Sequence, residues 1–429
     1  MAFRYFAYGS NLWPPQLRSR CSSAMAIGKV RLDGWHLVCD KPSTDGSLKL
    51  NIRPDAGSVV EGVVYRIDDA ERQALDSAEP LYSPVVVEVD GRPTLTYTYE
   101  GEPVTGAPYD WYAATCALGA ACHGIATDRG HVPAVPDPIA PGIRPANADD
   151  LTLIQAILSD GLATETDRYY VHPGDYAWWV YHDDPRHPDH FSTWIQEDSG
   201  FVTIDSLAPF EINVFTRPGV DRMPLVRWAQ RRLEGRGEVG WVSRADRELV
   251  RDLEAGGYQV VNSDRSFRWD LDRELPSPEL PNGWSLRAVS GEDEANPRRE
   301  ASHAAFESTM PGAMHLQRYL DFMRSPVYTP ERDLVAVSPE GRIAAFIVWW
   351  ADASSVAQIE PFGTHPDFHR QGIGRALIYH ALSEMKRAGM RSARVCSLDM
   401  PRPAGFYAGV GFTDTGPLDW WGLPAHLES

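Results

Sequence analysis

The chain has 429 residues, 41 Lys and Arg against 59 Asp and Glu, and a net charge of −18 at pH 7. Such an acidic balance argues against nucleic acid or an anionic membrane as the main partner, because both are held through cationic surface, and it suits a small cationic acceptor. The length fits about three domains, the 43 % hydrophobic share fits ordinary globular folding, and five cysteines form neither a disulfide framework nor a metal-ligand spacing.

In chain order, Phe3-Arg-Tyr-Phe-Ala-Tyr8 is an apolar strand that runs straight into Gly9-Ser10-Asn11. Backbone amides and short polar side chains of such a turn can surround an oxyanion or a carboxylate. Because the chain opens on a domain strand and contains no apolar run of spanning length, a cytoplasmic protein is expected. Strands come next at Gly62–Ile67, Val85–Val89 and Leu95–Tyr99, with a capped helix over Asp68–Glu79 that ends in a carboxylate.

Tyr8-Gly-Ser-Asn-Leu12, with Leu75-Asp-Ser-Ala-Glu79 downstream, resembles the γ-glutamylcyclotransferase family over about residues 3–125. The resemblance implies a small mixed β-barrel whose Tyr8, Gly9, Ser10 and Asn11 loop holds a γ-glutamyl group. It also implies that Glu79 takes a proton from the substrate's α-amine, which attacks its own γ-carbonyl to give 5-oxoproline and a free amine. An ammonium is no nucleophile, so a base is required there. The family's Gly after the Glu is Pro80 here, and its Tyr-x-Arg is Tyr82-Ser-Pro84. Proline pushes Glu79 out of helical geometry and remodels one wall of the pocket, so a changed substrate choice is expected. The same residues also suit a domain kept only for γ-glutamyl binding or for structure.

Two proline-rich joints, Val132–Pro141 and Leu275–Pro281, mark semi-rigid boundaries. Between them lie Gly142–Leu151, Glu211–Pro218 and Leu253–Tyr258. A loop with His172, His182, Asp183, Asp184, His187, Asp189 and His190 falls in this stretch. It has the residue types of a metal site but no repeated ligand spacing, and it reads as a solvated hairpin; no metal is expected.

After the second joint comes a strand, Ala357–His365, carrying Glu360. The loop Arg370-Gln371-Gly372-Ile373-Gly374-Arg375 is next, opening an amphipathic helix through Met385. Glycines let backbone amides approach an anion, and the helix start adds the positive end of its dipole, which together seat a pyrophosphate. A second strand, Arg391–Leu398, and a short helix bearing Tyr407 ahead of Gly411-Phe412 complete the series. This order resembles the GNAT superfamily of acyl-CoA N-acetyltransferases over about residues 284–416. The resemblance implies acetyl-CoA as cosubstrate, Glu360 as the base that frees the attacking amine, and Tyr407 as the acid that protonates the departing thiolate. Taken alone, Glu360 is a solvated strand-edge carboxylate and Tyr407 a packed aromatic. His369 stands where the family has Gln or Arg, so weakened cofactor affinity is expected.

The middle segment parallels the end, and residues 142–270 read as a worn copy of 284–416. Aligning Pro218 with Pro366 puts Pro224 and Val226 at the positions of Gly372 and Gly374, Ile212 at that of Glu360 and Leu253 at that of Tyr407. The copy is therefore expected to be non-catalytic and to help shape the acceptor cleft.

The expected protein is an α/β and α+β multidomain chain. A cyclotransferase-like domain spans 1–126, a linker 127–141, a degenerate GNAT-like domain 142–271, a second linker 272–283 and a catalytic GNAT domain 284–429, the two GNAT-type domains being mixed-sheet α/β folds. The fusion suggests that the first domain uncovers an amine, by removing γ-glutamate, that the last acetylates. Two other arrangements use the same motifs: a cyclotransferase with a CoA-sensing GNAT pair, and a non-catalytic binder of small amines.

Overall fold

The computed structural model describes residues 2–126, 133–164, 167–182, 191–205, 210–325, 327–398 and 401–424. The chain forms two compact units, one of residues 1–150, 187–214 and 224–237, the other of residues 151–186, 215–223 and 238–429.

The first unit is built on β1 (Ala2–Ala7), β2 (Met25–Pro42), β3 (Leu48–Asp68), β4 (Ser83–Val89) and β5 (Arg92–Thr98), in the order β2-β3-β1-β5-β4. Only the β1–β5 pair is parallel. Tyr5 and Ala7 of β1 pack with Val63, Tyr65 and Ile67 of β3, Leu75 and Leu95 into one core. The helix Asp110–Cys122 rests directly on the segment after β1: a Cβ at Gly119 would stand 2.4 Å from the Trp13 nitrogen and 2.7 Å from the Leu12 carbonyl carbon. Glycine is what lets that helix touch the loop backbone.

The same unit contains β6 (Ile143–Pro145), β7 (Phe191–Gln196), β8 (Gly200–Asp205) and most of β9 (Glu211–Thr216), in the order β6-β7-β8-β9. Trp194 of β7 and Trp228 of the helix Met223–Arg232 are fully buried, their rings 4.9 Å apart. Trp111 lies 6.4 Å from the first and 6.1 Å from the second. Three large aromatic rings in edge and tilted contact thus bind residues distant in sequence into one core.

The second unit holds β10 (Glu238–Ser243), β11 (Gln259–Asp270), β12 (Ser285–Ala288), β13 (Asp333–Val337), β14 (Ile343–Trp350), β15 (Val356–Thr364), β16 (Ser392–Leu398) and β17 (Thr413–Gly422). Their order is β12-β13-β14-β15-β16-β11-β17-β10. β11, which the repeat assigns to the first copy, lies between β16 and β17 of the second and pairs with β16 from Asp264 to Asp270. All eight residues of β14 are buried. Both of its faces are covered: Leu334, Ala336 and Ile347 meet Leu377 and Leu382 in one core, while Val335, Val337 and Phe346 meet Ala301 in another. Only β15 and β16 run parallel, and the helix Ile373–Arg387 supplies the crossover that a parallel pair requires.

Asp333, fully buried at the start of β13, is a polar anchor for the helices beside that sheet. It accepts from Arg298 Nε at 3.1 Å, from the Tyr319 hydroxyl, and from the Tyr328 hydroxyl at 3.3 Å. Arg298 in turn lies 3.9 Å from the Phe346 ring centre. Among the described residues, no helix is long and apolar enough to cross a membrane.

Removing one partner of a buried ion pair strands the other charge. Asp333→Ala is therefore expected to cost roughly 3–5 kcal/mol, read as a lower denaturant midpoint. An unchanged midpoint would show that Arg298 finds another partner.

Candidate active sites

In the second unit, β15 and β16 keep parallel register from Val356 opposite Ser392 to Ile359 opposite Val395, and then part. The cause lies in β15. Against β14, Ile347 pairs with Phe362 and Trp349 with Ile359, so β15 carries one extra residue at Glu360-Pro361. Pro361 has no N–H to give to a ladder, the Glu360–Pro361 peptide is cis, and the Glu360 carbonyl accepts from Trp350 Nε1 at 2.8 Å. Glu360 therefore stands at the mouth of the split.

Burial pushes Glu360 up to about 8, with help from the charges of Asp175 and Asp264. Asp175 sits on the helix Pro173–His182 and accepts from the His172 backbone N–H at 3.0 Å. Burial lifts it to about 6. On the β16 side, the Cys396 thiol is pushed up to about 12 by burial, and the Tyr169 hydroxyl lies 2.7 Å from its sulfur. Tyr407, 7 % exposed on the helix Pro401–Val410, packs 5.5 Å from Phe267 and 5.8 Å from Phe412. Burial, then the charges of Glu360 and Cys396, raise its pKa, so its proton is kept at neutral pH. The site thus holds a carboxyl group that ionises near neutrality beside a phenol that does not.

The loop Arg370–Arg375 lies just past the end of the same strand. Arg370 (φ 61°) and Gly372 (φ 78°) are left-handed, and Gly372 caps the helix Ile373–Arg387 without a side-chain hydrogen bond to its first amides. Gly374 is buried, and a Cβ there would come 2.7 Å from Thr364 Oγ1, so this glycine lets the helix start close to the strand. Uncapped amides and a side-chain-free cradle fit a pyrophosphate. Arg370, Gln371 and Arg375 are all exposed around it. His369 Nε2 lies 2.9 Å from the Thr364 carbonyl and donates to it, so its ring braces the loop against β15.

In the first unit, a cleft of about 300 Å³ is lined by Ser10 and Glu79 among others. Asn11 organises it: its Nδ2 donates to Glu79 Oε1 and to the Tyr5 hydroxyl, each at 2.8 Å, and its Oδ1 accepts from Arg20 Nη1 at 2.8 Å. Arg20 also pairs with Glu79 at 2.9 Å. Tyr8 donates to the Tyr97 carbonyl at 2.6 Å and ties the loop to β5, while the Gly9 carbonyl accepts from Leu12 N–H at 3.0 Å. The helix before Glu79 ends at Ser77, and Glu79 lies in a turn. Tyr82 donates to the Leu50 carbonyl, and Lys41 lies 4.5 Å over its ring.

Sequence reasoning missed Asp175, Tyr169 and Cys396 in one site, and Arg20 and Lys41 in the other. An Asp inside the apolar stretch Tyr169–Trp178 was the one local signal. Ile212, Val226 and Leu253, which the sequence repeat aligns with Glu360, Gly374 and Tyr407, are all fully buried. Of the His and Asp loop, His172 is buried and faces Asp352 at 3.5 Å. Residues 183–190 lie outside the described residues, as does the side chain of His182.

The γ-glutamyl cyclotransferase, AIG2-like, family matches residues 5–113, and the acetyltransferase (GNAT) family matches residues 300–412. The chain joins a γ-glutamylcyclotransferase-like domain to a GNAT domain. Curated relatives include a mycothiol acetyltransferase of Segniliparus rotundus, 25 % identical over 34 % of this chain and 58 % of its own length. Another, from an Arthrobacter species, is 28 % identical over 51 % of this chain and 72 % of its own length. Among solved structures, a tandem GNAT protein from the clavulanic acid biosynthesis pathway aligns over 65 % of this chain and 97 % of its own, at 18 % identity and TM-score 0.47. A γ-glutamyl cyclotransferase aligns over 29 % of this chain and 81 % of its own, at 25 % identity and TM-score 0.26.

In the GNAT domain the raised Glu360 has a measurable thermodynamic consequence. Its folded pKa of about 8 lies above the ordinary 4.5, so the native state holds the proton longer than the unfolded chain. Its contribution to stability is complete below about pH 4.5 and is lost as pH rises to about 8. Glu360→Gln should therefore gain stability relative to the parent between about pH 5 and 8, followed by melting temperature. A difference that is flat with pH would mean that Glu360 is ionised throughout.

Proposed function

We propose that the protein is an acetyl-CoA-dependent N-acetyltransferase acting on a small amine, and that its first domain binds γ-glutamyl amines or cyclises them to 5-oxoproline and amine. The observation that carries the first part is the pairing, at the strand split, of a carboxyl group near pKa 8 with a protonated buried tyrosine. Acetyl-CoA supplies the acyl group as a thioester. The amides of residues 370–375, with Arg370 and Arg375, would hold its pyrophosphate.

An amine arrives as an ammonium and must lose a proton before its lone pair can attack. Glu360 accepts that proton, the new C–N bond forms as the C–S bond breaks, and Tyr407 gives a proton to the leaving sulfur. The extra proton on the acylated nitrogen then leaves to restore the tyrosine and yield the neutral amide. The carboxyl groups of Asp175 and Glu360 favour a cationic acceptor in the same site. In the first domain, Glu79 is placed by Asn11 and Arg20 to receive the α-amine proton of a γ-glutamyl group.

A product screen by mass spectrometry tests both halves. Acetyl-CoA is offered with a panel of amines, free and γ-glutamyl-capped, that includes deacetylated mycothiol because both curated relatives are mycothiol acetyltransferases. Acetyl gain on free amines, with 5-oxoproline from capped ones, is expected. Acetyl gain alone would reduce the first domain to binding, and loss of both products would remove the catalytic reading.

Tyr407→Phe is expected to lower kcat by about 10²-fold or more while leaving acetyl-CoA binding within about twofold. Equal turnover would remove Tyr407 from the mechanism. The parent's kcat/KM should climb to about pH 8 as Glu360 ionises, and Glu360→Gln should flatten that rise.

A further inference from the structure

The cleft beside Glu79 is not closed by the cyclotransferase-like segment alone. Its lining also includes Ser192, Ile204, Phe210 and the stretch Arg231–Arg236, all from the worn GNAT copy and all within the same compact unit. Six cationic side chains line it, Arg20, Lys41, Lys49, Arg231, Arg232 and Arg236, against three carboxylates, Asp45, Glu79 and Glu234.

Half of these cations are neutralised. Arg20 pairs with Glu79 at 2.9 Å, Lys49 with Asp45 at 2.7 Å, and Arg231 with Asp137. The other three form no ion pair with a carboxylate among the described residues. Arg232 is the most constrained of them. Its guanidinium lies 4.3 Å from the Trp194 ring centre, 4.8 Å from Trp111 and 5.2 Å from Trp228, and one nitrogen donates to Gln16 Oε1 at 2.6 Å. Lys41 is 3 % exposed, and Arg236 stacks 4.7 Å from Phe210. Burial presses on the charged forms of Lys41 and Arg232, which a bound anion would relieve. An arginine in an aromatic box is pre-organised for an oxyanion, because its planar fork loses little freedom on binding.

We propose that Arg232, with Lys41, is a specificity determinant of the first domain, selecting γ-glutamyl compounds whose amine half carries an oxyanion, a carboxylate or a phosphate. This rests on the reading of that cleft as a γ-glutamyl site. The γ-glutamyl end lies at Ser10 and Glu79, and the acidic tail of the amine reaches the wall supplied by Arg231–Arg236. No bond is made or broken by Arg232; it holds the tail, and Glu79 remains the group that takes the proton.

The test is equilibrium binding by calorimetry with the full chain, in a Glu79→Gln background so that no ligand is consumed. Three ligands separate the chemistry: γ-glutamylglycine (carboxylate), γ-glutamyl-phosphoethanolamine (phosphate) and γ-glutamylethylamine (uncharged tail). At least one anionic ligand should bind about tenfold or more tightly than the uncharged one, and whichever gains more names the oxyanion. Arg232→Met should bring all three within about threefold of one another. Because Arg232 packs among tryptophans, Lys41→Gln serves as a second variant and should narrow the same gap, with near-ultraviolet dichroism confirming a folded chain. Equal affinity for charged and uncharged ligands, or discrimination that survives both substitutions, would overturn the proposal. If the parent discriminates through Arg232 yet releases no 5-oxoproline, the inference stands and only the catalytic reading of the domain falls. If no γ-glutamyl ligand binds, both fall together.

Discussion

Two neighbouring strands cannot stay hydrogen-bonded and also leave a slot between them. One surplus residue on β15 settles this for the acetyltransferase half: beyond Ile359 the ladder to β16 ends. Proline at the bulge keeps the ladder from re-forming, because it brings no amide hydrogen. The remainder of the site depends on that break. Glu360 stands at its edge, the buried tyrosine comes off the end of the opposing strand, and the crossover helix starts just past the strand that was released. A continuous pairing of β15 with β16 would close the slot at which Glu360 stands.

The two candidate sites differ in their balance of charge. Burial and the charges of Asp175 and Asp264 make Glu360 harder to ionise, while His172 and Arg394 act on Asp175 in the opposite sense. Around Glu79 cations outnumber carboxylates. A molecule with one cationic and one anionic end satisfies both environments in different orientations. That is the condition an amine must meet if the first site is to release it and the second is to modify it. A purely cationic amine suits the second site alone.

The strands, the glycine loop and the tyrosine helix were legible because each rests on local chemistry: alternation, glycine where φ is positive, and an aromatic ahead of a Gly-Phe turn. The parallel of residues 142–270 with 284–416 is a reading of the sequence, and its apolar Ile212, Val226 and Leu253 are all buried. Side chains brought in from far along the chain were not legible. Asp175 is 185 residues from Glu360 in sequence, and no spacing rule links them. Likewise, Arg231 and Arg232 read as the basic last turn of an amphipathic helix, since the box of Trp111, Trp194 and Trp228 exists only after folding. The helix expected to end at Glu79 stops at Ser77, and Pro80 accounts for the difference by excluding helical geometry at the residue before it.

The order in which the chain contributes to its two compact units has a bearing on how such a protein can change over time. Residues 187–214 and 224–237 belong with the first 150, while the stretches between and after them do not. A recombination event that joined only residues 1–126 to a new neighbour would leave Trp111 without Trp194 and Trp228, and the cleft without its arginine wall. The cyclotransferase-like module is thus no longer a portable cassette. Its core and its cleft are completed by residues 187–214 and 224–237, so a change in that stretch is felt in the first domain as well.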